Sequence, residues 1–406
     1  MKGSKLLMTV FVAVLILSLT ITTVGAQTGL PQVGEMDEDG DLVLEIAPSA
    51  IPGGTGERHD VSGYTLRQSD EITPQGVIST QGEPYSPVNE WVLSKTPKFW
   101  FTQTPGATKY KIELRYWWSD GLVYTFKGAG DCNDIPGYCW LKPDTKLKAY
   151  EYYNWSYGDY IWRVGAKVGT TWYYSDYYGF GVLSKGFNST FDLNLKKWYP
   201  INGDWFRVDP GYLKTKGSYN SYSSAMQKEL FLDDYVVSAR MKGKTDVNQY
   251  QGIIIGGYPD PIWSSNVWYD GVYFIYSGNY SGVLFIRDGV EVHWTDWYES
   301  TAWDPTGWNT MEVTVDAPDA YQKVNGLAEW GVIGFPDDIE SGYIGLTHLK
   351  YITDKAPFVV DWAKLSYLPT GAMAEVERDM DGVKVINYNE IEFVPLSEFE
   401  GIKPPQ

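Results

Sequence analysis

The residues best suited to chemistry lie in one stretch, 258–304. Trp263, Trp268, Tyr269, Trp294, Trp297 and Trp303 alternate there with Asp270, Asp296 and Asn266. An aromatic ring offers an apolar face against which the C–H face of a sugar can stack. Neighbouring carboxylates and amides can bond its hydroxyls. The composition therefore points to glycan binding. The bland reading is that large rings fill a core and pair across strands. It fits each Trp taken singly, but so many rings cannot all be buried, so at least one exposed cluster is expected. The Tyr- and Trp-rich run 150–178 is a second candidate surface, and equally a candidate contact between two folded units.

Glycoside cleavage would need two carboxylates roughly 5–10 Å apart. Asp270, Glu291, Asp296 and Asp304 are the acids among these aromatics. Nothing in their spacing pairs them. Asp337, Asp338 and Glu340 cluster in a Pro/Gly turn and read as solvated. The chain has no Gly-x-Ser-x-Gly elbow, His-Glu-x-x-His helix or phosphate loop, each of which has a fixed spacing for its chemistry. No catalytic residue is assigned.

Metal and redox chemistry find little support. Three scattered histidines (His59, His293 and His348) and two cysteines exclude the common all-His and all-Cys sites. Asp37, Asp39 and Asp41 around Gly40 are spaced like part of a calcium loop, but the final ligand position falls on Ile46. No cofactor is expected. Calcium is compatible with such a chain, but no ligand set specifies it. Cys132 and Cys139 flank a six-residue turn, and in an exported chain they read as a local disulfide.

Lys2 and Lys5 precede an apolar run from Leu6 to Val24, which ends in Gly25-Ala26. That is the pattern of a secretory signal, residues 1–26, with cleavage expected after Ala26 and an uncleaved anchor as the alternative. No second apolar run follows, so no membrane span is expected after cleavage. The protein is read as extracellular or cell-surface. With 51 acidic against 33 basic residues the chain carries −18, which disfavours nucleic-acid partners. Residues 27–83 hold eleven acids against two Arg, and 370–406 hold eight against three basic residues. Both ends are therefore read as disordered acidic segments, 27–85 a linker and 369–406 a tail. The 286 residues between them are nearly neutral and rich in Trp and Tyr.

Those residues have a period of two. Tyr110, Ile112, Leu114 and Tyr116 alternate with Lys111, Glu113 and Arg115. Tyr235, Val237, Ala239 and Met241 alternate with Val236, Ser238 and Arg240. No stretch has a sustained helical period, so the fold class is all-β. Residues 86–184 are read as one β-sandwich and 187–368 as a larger antiparallel jelly roll.

Two resemblances sharpen this. Thr102 to Tyr110, with Tyr160-Ile161-Trp162-Arg163-Val164-Gly165-Ala166, resembles a fibronectin type III-like domain, in which Tyr160 would make the tyrosine corner. Gly203-Asp204-Trp205-Phe206-Arg207-Val208, Trp308-Asn309-Thr310-Met311-Glu312-Val313 and Val360-Asp361-Trp362-Ala363-Lys364-Leu365 resemble concanavalin A-like sandwiches, including the 3-keto-disaccharide hydrolase family. This second resemblance implies a fold that hosts lectins, hydrolases and inert modules alike.

The leading expectation is an exported, non-catalytic, lectin-like protein with a polysaccharide or glycan partner. The alternatives are a glycan-cleaving hydrolase and a structural or adhesive surface protein that self-associates. The oligomeric state is open.

Overall fold

The computed structural model describes residues 83–117, 121–151, 158–216, 223–232, 234–243, 249–258, 268, 270–336, 342–350, 357–368 and 382–399. It also describes three short strands before residue 68. The signal segment, Asp37 to Asp41, Asn266 and the turn acids Asp337, Asp338 and Glu340 lie largely or wholly outside them. So do the candidate site residues Trp263 and Tyr269.

The first unit is built on the long strands Ala107–Tyr116 and Asp159–Val168, which pair antiparallel from Tyr160↔Tyr116 to Val168↔Ala107. They belong to a nine-stranded sheet. A three-stranded sheet of Pro84–Ser86, Phe99–Thr102 and Tyr138–Leu141 accompanies it. The alternation read in the sequence decides what is buried: Tyr110, Ile112 and Leu114 meet Phe99, Phe101, Trp162 and Val164 in one core. The Tyr160 hydroxyl donates to the Lys148 carbonyl (3.1 Å) and accepts from the Lys148 amide (3.0 Å), tying a strand to a loop twelve residues upstream. The Cys132–Cys139 disulfide is formed.

The second unit is a sandwich of two nine-stranded sheets. Sheet I has Phe358–Tyr367 and Tyr235–Lys242 at its centre, flanked by Tyr212–Thr215 and Asn309–Asp316. Sheet II has Tyr343–Lys350, Gln249–Tyr258, Asp270–Ser277 and Tyr280–Arg287 side by side. The inward residues of both close one core, including Val237, Ala239, Met311, Val313, Val360, Ile253, Phe274 and Phe285. The antiparallel jelly-roll sandwich expected for 187–368 is the fold observed.

The outer face of sheet II is also apolar. Ile254, Tyr273, Ile275 and Leu284 lie on it, and they share a buried cluster with Trp91, Leu93 and Leu183 of the first unit. The strands of sheet II therefore read as near-continuous apolar runs, as expected for a sheet covered on both faces.

The expectation of a disordered acidic tail fails for residues 382–399, while most of the N-terminal stretch 27–85 lies outside the described residues apart from short strands. Leu42–Glu45 and Thr65–Arg67 pair parallel with strands of the first unit. Residues 382–399 form a strap rather than a free tail. Lys384–Asn387 pairs parallel with the sheet I edge strand Leu327–Ile333, and Val394–Pro395 pairs with the sheet II edge strand Glu291–Trp294. Between them Tyr388 is 7% exposed and joins the sandwich core, with Ile386, Ile391 and Phe393 packed alongside. Total charge misled because a few apolar anchors at the right spacing are enough to dock a segment on a preformed edge.

Candidate carbohydrate-binding surface

Among the described candidate aromatics, Trp268 and Trp303 are buried, while Trp294 and Trp297 are partly buried. Trp294 ends the strand Glu291–Trp294 and stands opposite Leu284. A Cβ on Gly282 would lie 2.4 Å from the Trp294 ring, so the glycine lets that ring lie down on the sheet. The chain then turns through exposed Asp296 to Trp297. The two indoles meet edge to face with centroids 4.8 Å apart. Beneath them, Tyr250 is buried and stacks on Trp297 at 5.4 Å. The pair therefore forms a packed platform on the outer face of sheet II, and the turn that joins its two members carries exposed Asp296.

Trp268 and Trp303 are corrections to the sequence reading. Trp268 is 0% exposed, its ring lying over Gly257 and Gly345, where a Cβ would come within 2.1 and 2.6 Å of it. Its amide donates to the Tyr273 hydroxyl at 3.1 Å. Trp303 is 5% exposed and stacks flat on Tyr276 inside the sandwich. Neither presents a face to a ligand.

The acids are held in separate local arrangements. Asp270 accepts the Asp288 amide at 2.8 Å. Glu291 is engaged by Arg287, whose Nε lies 2.7 Å from Oε2. Asp304 accepts both the amide and the hydroxyl of Thr306 at 2.8 Å, bonds that hold its carboxyl below the usual range. Asp296 is exposed on the platform. Among the described residues, no three of His, Cys, Asp and Glu gather to hold a metal. No helix there is long and apolar enough to cross a membrane.

Two features escaped the sequence reading. The first is Glu329, 5% exposed between the sheets. It accepts the Tyr276 and Ser300 hydroxyls and, at 3.4 Å, the Ala302 amide. Gln322 completes the network by donating to the Tyr276 oxygen at 2.8 Å. Burial, followed by the Glu329 charge, pushes Tyr276 well above its ordinary value. This network anchors residues 300–303, just after the platform. The second is Trp308 and Trp362, quoted in the sequence only as fold markers. They lie half-exposed on the outer face of sheet I. Their signal was phase: Trp362 stands opposite Arg240, outward on its strand.

The chain matches no protein-family profile and no curated protein. Solved structures align with part of the chain at low similarity. The carbohydrate-binding module CBM66 of Bacillus subtilis is 10% identical, with 41% of this chain and 93% of that one aligned and a TM-score of 0.32. A Bacillus licheniformis β-glucanase is 12% identical, with 46% and 99% aligned and a TM-score of 0.36. A Bacillus subtilis protein of unknown function with a galectin-like fold is 12% identical, with 45% and 94% aligned and a TM-score of 0.36. Likeness this distant carries nothing about activity. What describes the second unit is its own topology, an all-β jelly-roll sandwich of two nine-stranded sheets.

Proposed function

We propose that the protein is an exported, non-catalytic carbohydrate-binding protein that holds an extracellular or cell-wall glycan on the Trp294–Trp297 platform. The observation that carries this reading is the partly buried edge-to-face indole pair, with exposed Asp296 in the turn that joins its members. A sugar ring stacks on an indole face through its C–H groups, and a flanking carboxylate accepts from its hydroxyls. Tyr250 beneath Trp297 fixes the platform before ligand arrives, which lowers the ordering cost of binding. The first unit, read as a fibronectin type III-like spacer, contributes Trp91 and Leu93 to the buried cluster against which the platform packs.

Glu291 and Asp304 are each engaged by a neighbouring group, which favours binding over cleavage. The test is a glycan-array scan of the full chain, with and without calcium, that follows reducing-end release on every hit. Binding without release is the expected result. Release of product would replace this reading with a hydrolase, and silence on the whole array would remove it.

A further inference from the structure

The outer face of sheet I is the part of the second unit whose chemistry the platform does not use. Three central strands, Tyr212–Thr215, Phe358–Tyr367 and Tyr235–Lys242, present their outward residues there. Lys214 and Lys242 flank Val359 from the two neighbouring strands. One row further, Trp362 stands opposite Arg240, and beyond it Lys364 opposite Ser238. Lys214, Lys242 and Lys364 make no ion pair among the described residues.

Aromatic rings are interleaved with these cations. Trp308 crosses the sheet surface: its ring lies 5.1 Å from the Arg240 guanidinium and meets Tyr212 at 5.6 Å. The Lys364 ammonium sits 5.2 Å from the Trp362 ring. The acids on this face are few. Asp361 binds Arg240 at 2.7 Å, and Glu312 stands opposite Lys323. Asp304 lies close enough to Lys242 to feel its charge. Arg240 is 42% exposed even with Asp361 engaged.

This is a cationic, aromatic face on a chain of net charge −18. The chain's excess of acids sits mostly in its two ends, and this face offers cations and stacking faces together. We propose that this face is a second binding site, for an acidic polysaccharide that carries a carboxylate on its sugars. A polyuronate matches both features at once. Its sugar rings stack on Trp308 and Trp362, while its carboxylates meet Lys214, Lys242 and Lys364. Arg240 already holds the carboxylate of Asp361 and supplies further donors in the fork geometry that suits one. The site is on the opposite sheet from the Trp294–Trp297 platform and does not depend on it.

The experiment uses the full chain with two probes, polygalacturonate and its fully methyl-esterified form, in affinity electrophoresis and calorimetry. Polygalacturonate binds, and the esterified polymer binds at least about tenfold more weakly. Raising salt from about 50 to about 200 mM weakens the interaction, because exposed charges are screened over that range. The combined variant Lys214→Gln, Lys242→Gln, Lys364→Gln removes three exposed charges without touching the core and loses at least about tenfold in affinity. Trp308→Ala also weakens binding, whereas Trp297→Ala leaves it unchanged, so failure of the platform and failure of this site are distinguishable. Equal binding of the two polymers, absence of binding, or an unaffected triple-Gln variant overturns the proposal. So does self-association that the triple-Gln variant abolishes, which would assign the face to an acidic segment of a second copy.

Discussion

Trp303 lies flat against Tyr276, with ring centroids 4.3 Å apart and 14° between the planes. The stack takes one of the most promising aromatics of the 258–304 stretch out of any binding surface and puts it at the heart of the sandwich. It also places the Tyr276 hydroxyl on Glu329, so an aromatic stack and a buried carboxylate share one network.

Glu329→Ala leaves the Tyr276 and Ser300 hydroxyls buried without their acceptor. Removing one partner of such a network costs about 2–4 kcal/mol, more than the net worth of the bonds themselves. Urea unfolding of the variant should show this loss. A midpoint within about 0.5 kcal/mol of wild type would mean that the network contributes nothing to stability.

Alkaline pH should unfold the protein through its buried tyrosines. Burial holds Tyr273 and Tyr276 above the ordinary phenol value, and burial raises Tyr177 to about 12. Their folded-state values are raised, so the stability they contribute is complete below about pH 10 and is lost as pH rises further. The unfolded chain gives up these protons first, at up to about 1.4 kcal/mol per pH unit for each group. Tyrosinate absorbance followed beside circular dichroism should show these groups ionising together with unfolding. Complete tyrosine ionisation in the folded protein would contradict the burial argument.

The C-terminal strap caps one edge of each sheet of the sandwich. Deleting residues 382–406 leaves Leu327–Ile333 and Glu291–Trp294 without their outer partners and removes Tyr388 from the core. The expected result is a loss of about 3–5 kcal/mol, the scale of deleting a large core aromatic. Concentration-dependent aggregation should accompany it, because open strand edges template pairing. An unchanged Tm would show that the strap is an ornament.

The all-β class and the sandwich core were legible because alternation states directly which side chains face inward. Val237 and Ala239 lie in the core where the pattern put them. The strap was not legible because net charge averages over a segment, whereas docking depends on a few anchors such as Ile386, Tyr388 and Phe393. The platform was half legible. Residue type singled out Trp294 and Trp297 but equally Trp268 and Trp303, and local spacing does not say which ring a distant strand will cover. Trp268 is buried over Gly257 and Gly345, the second of them more than seventy residues away. Glu329 was invisible for the same reason: its partners Tyr276 and Ser300 belong to other elements of the chain.

The most direct test of glycan binding at the platform is a comparison of the full-length protein with Trp294→Ala and Trp297→Ala on the best ligand from the glycan array. Both rings lie at the surface rather than in the core, so the variants should keep the wild-type circular dichroism spectrum and lose the affinity of a stacked ring, about 1–3 kcal/mol each or roughly fivefold or more. Folded variants that bind the glycan as tightly as wild type would contradict the central claim.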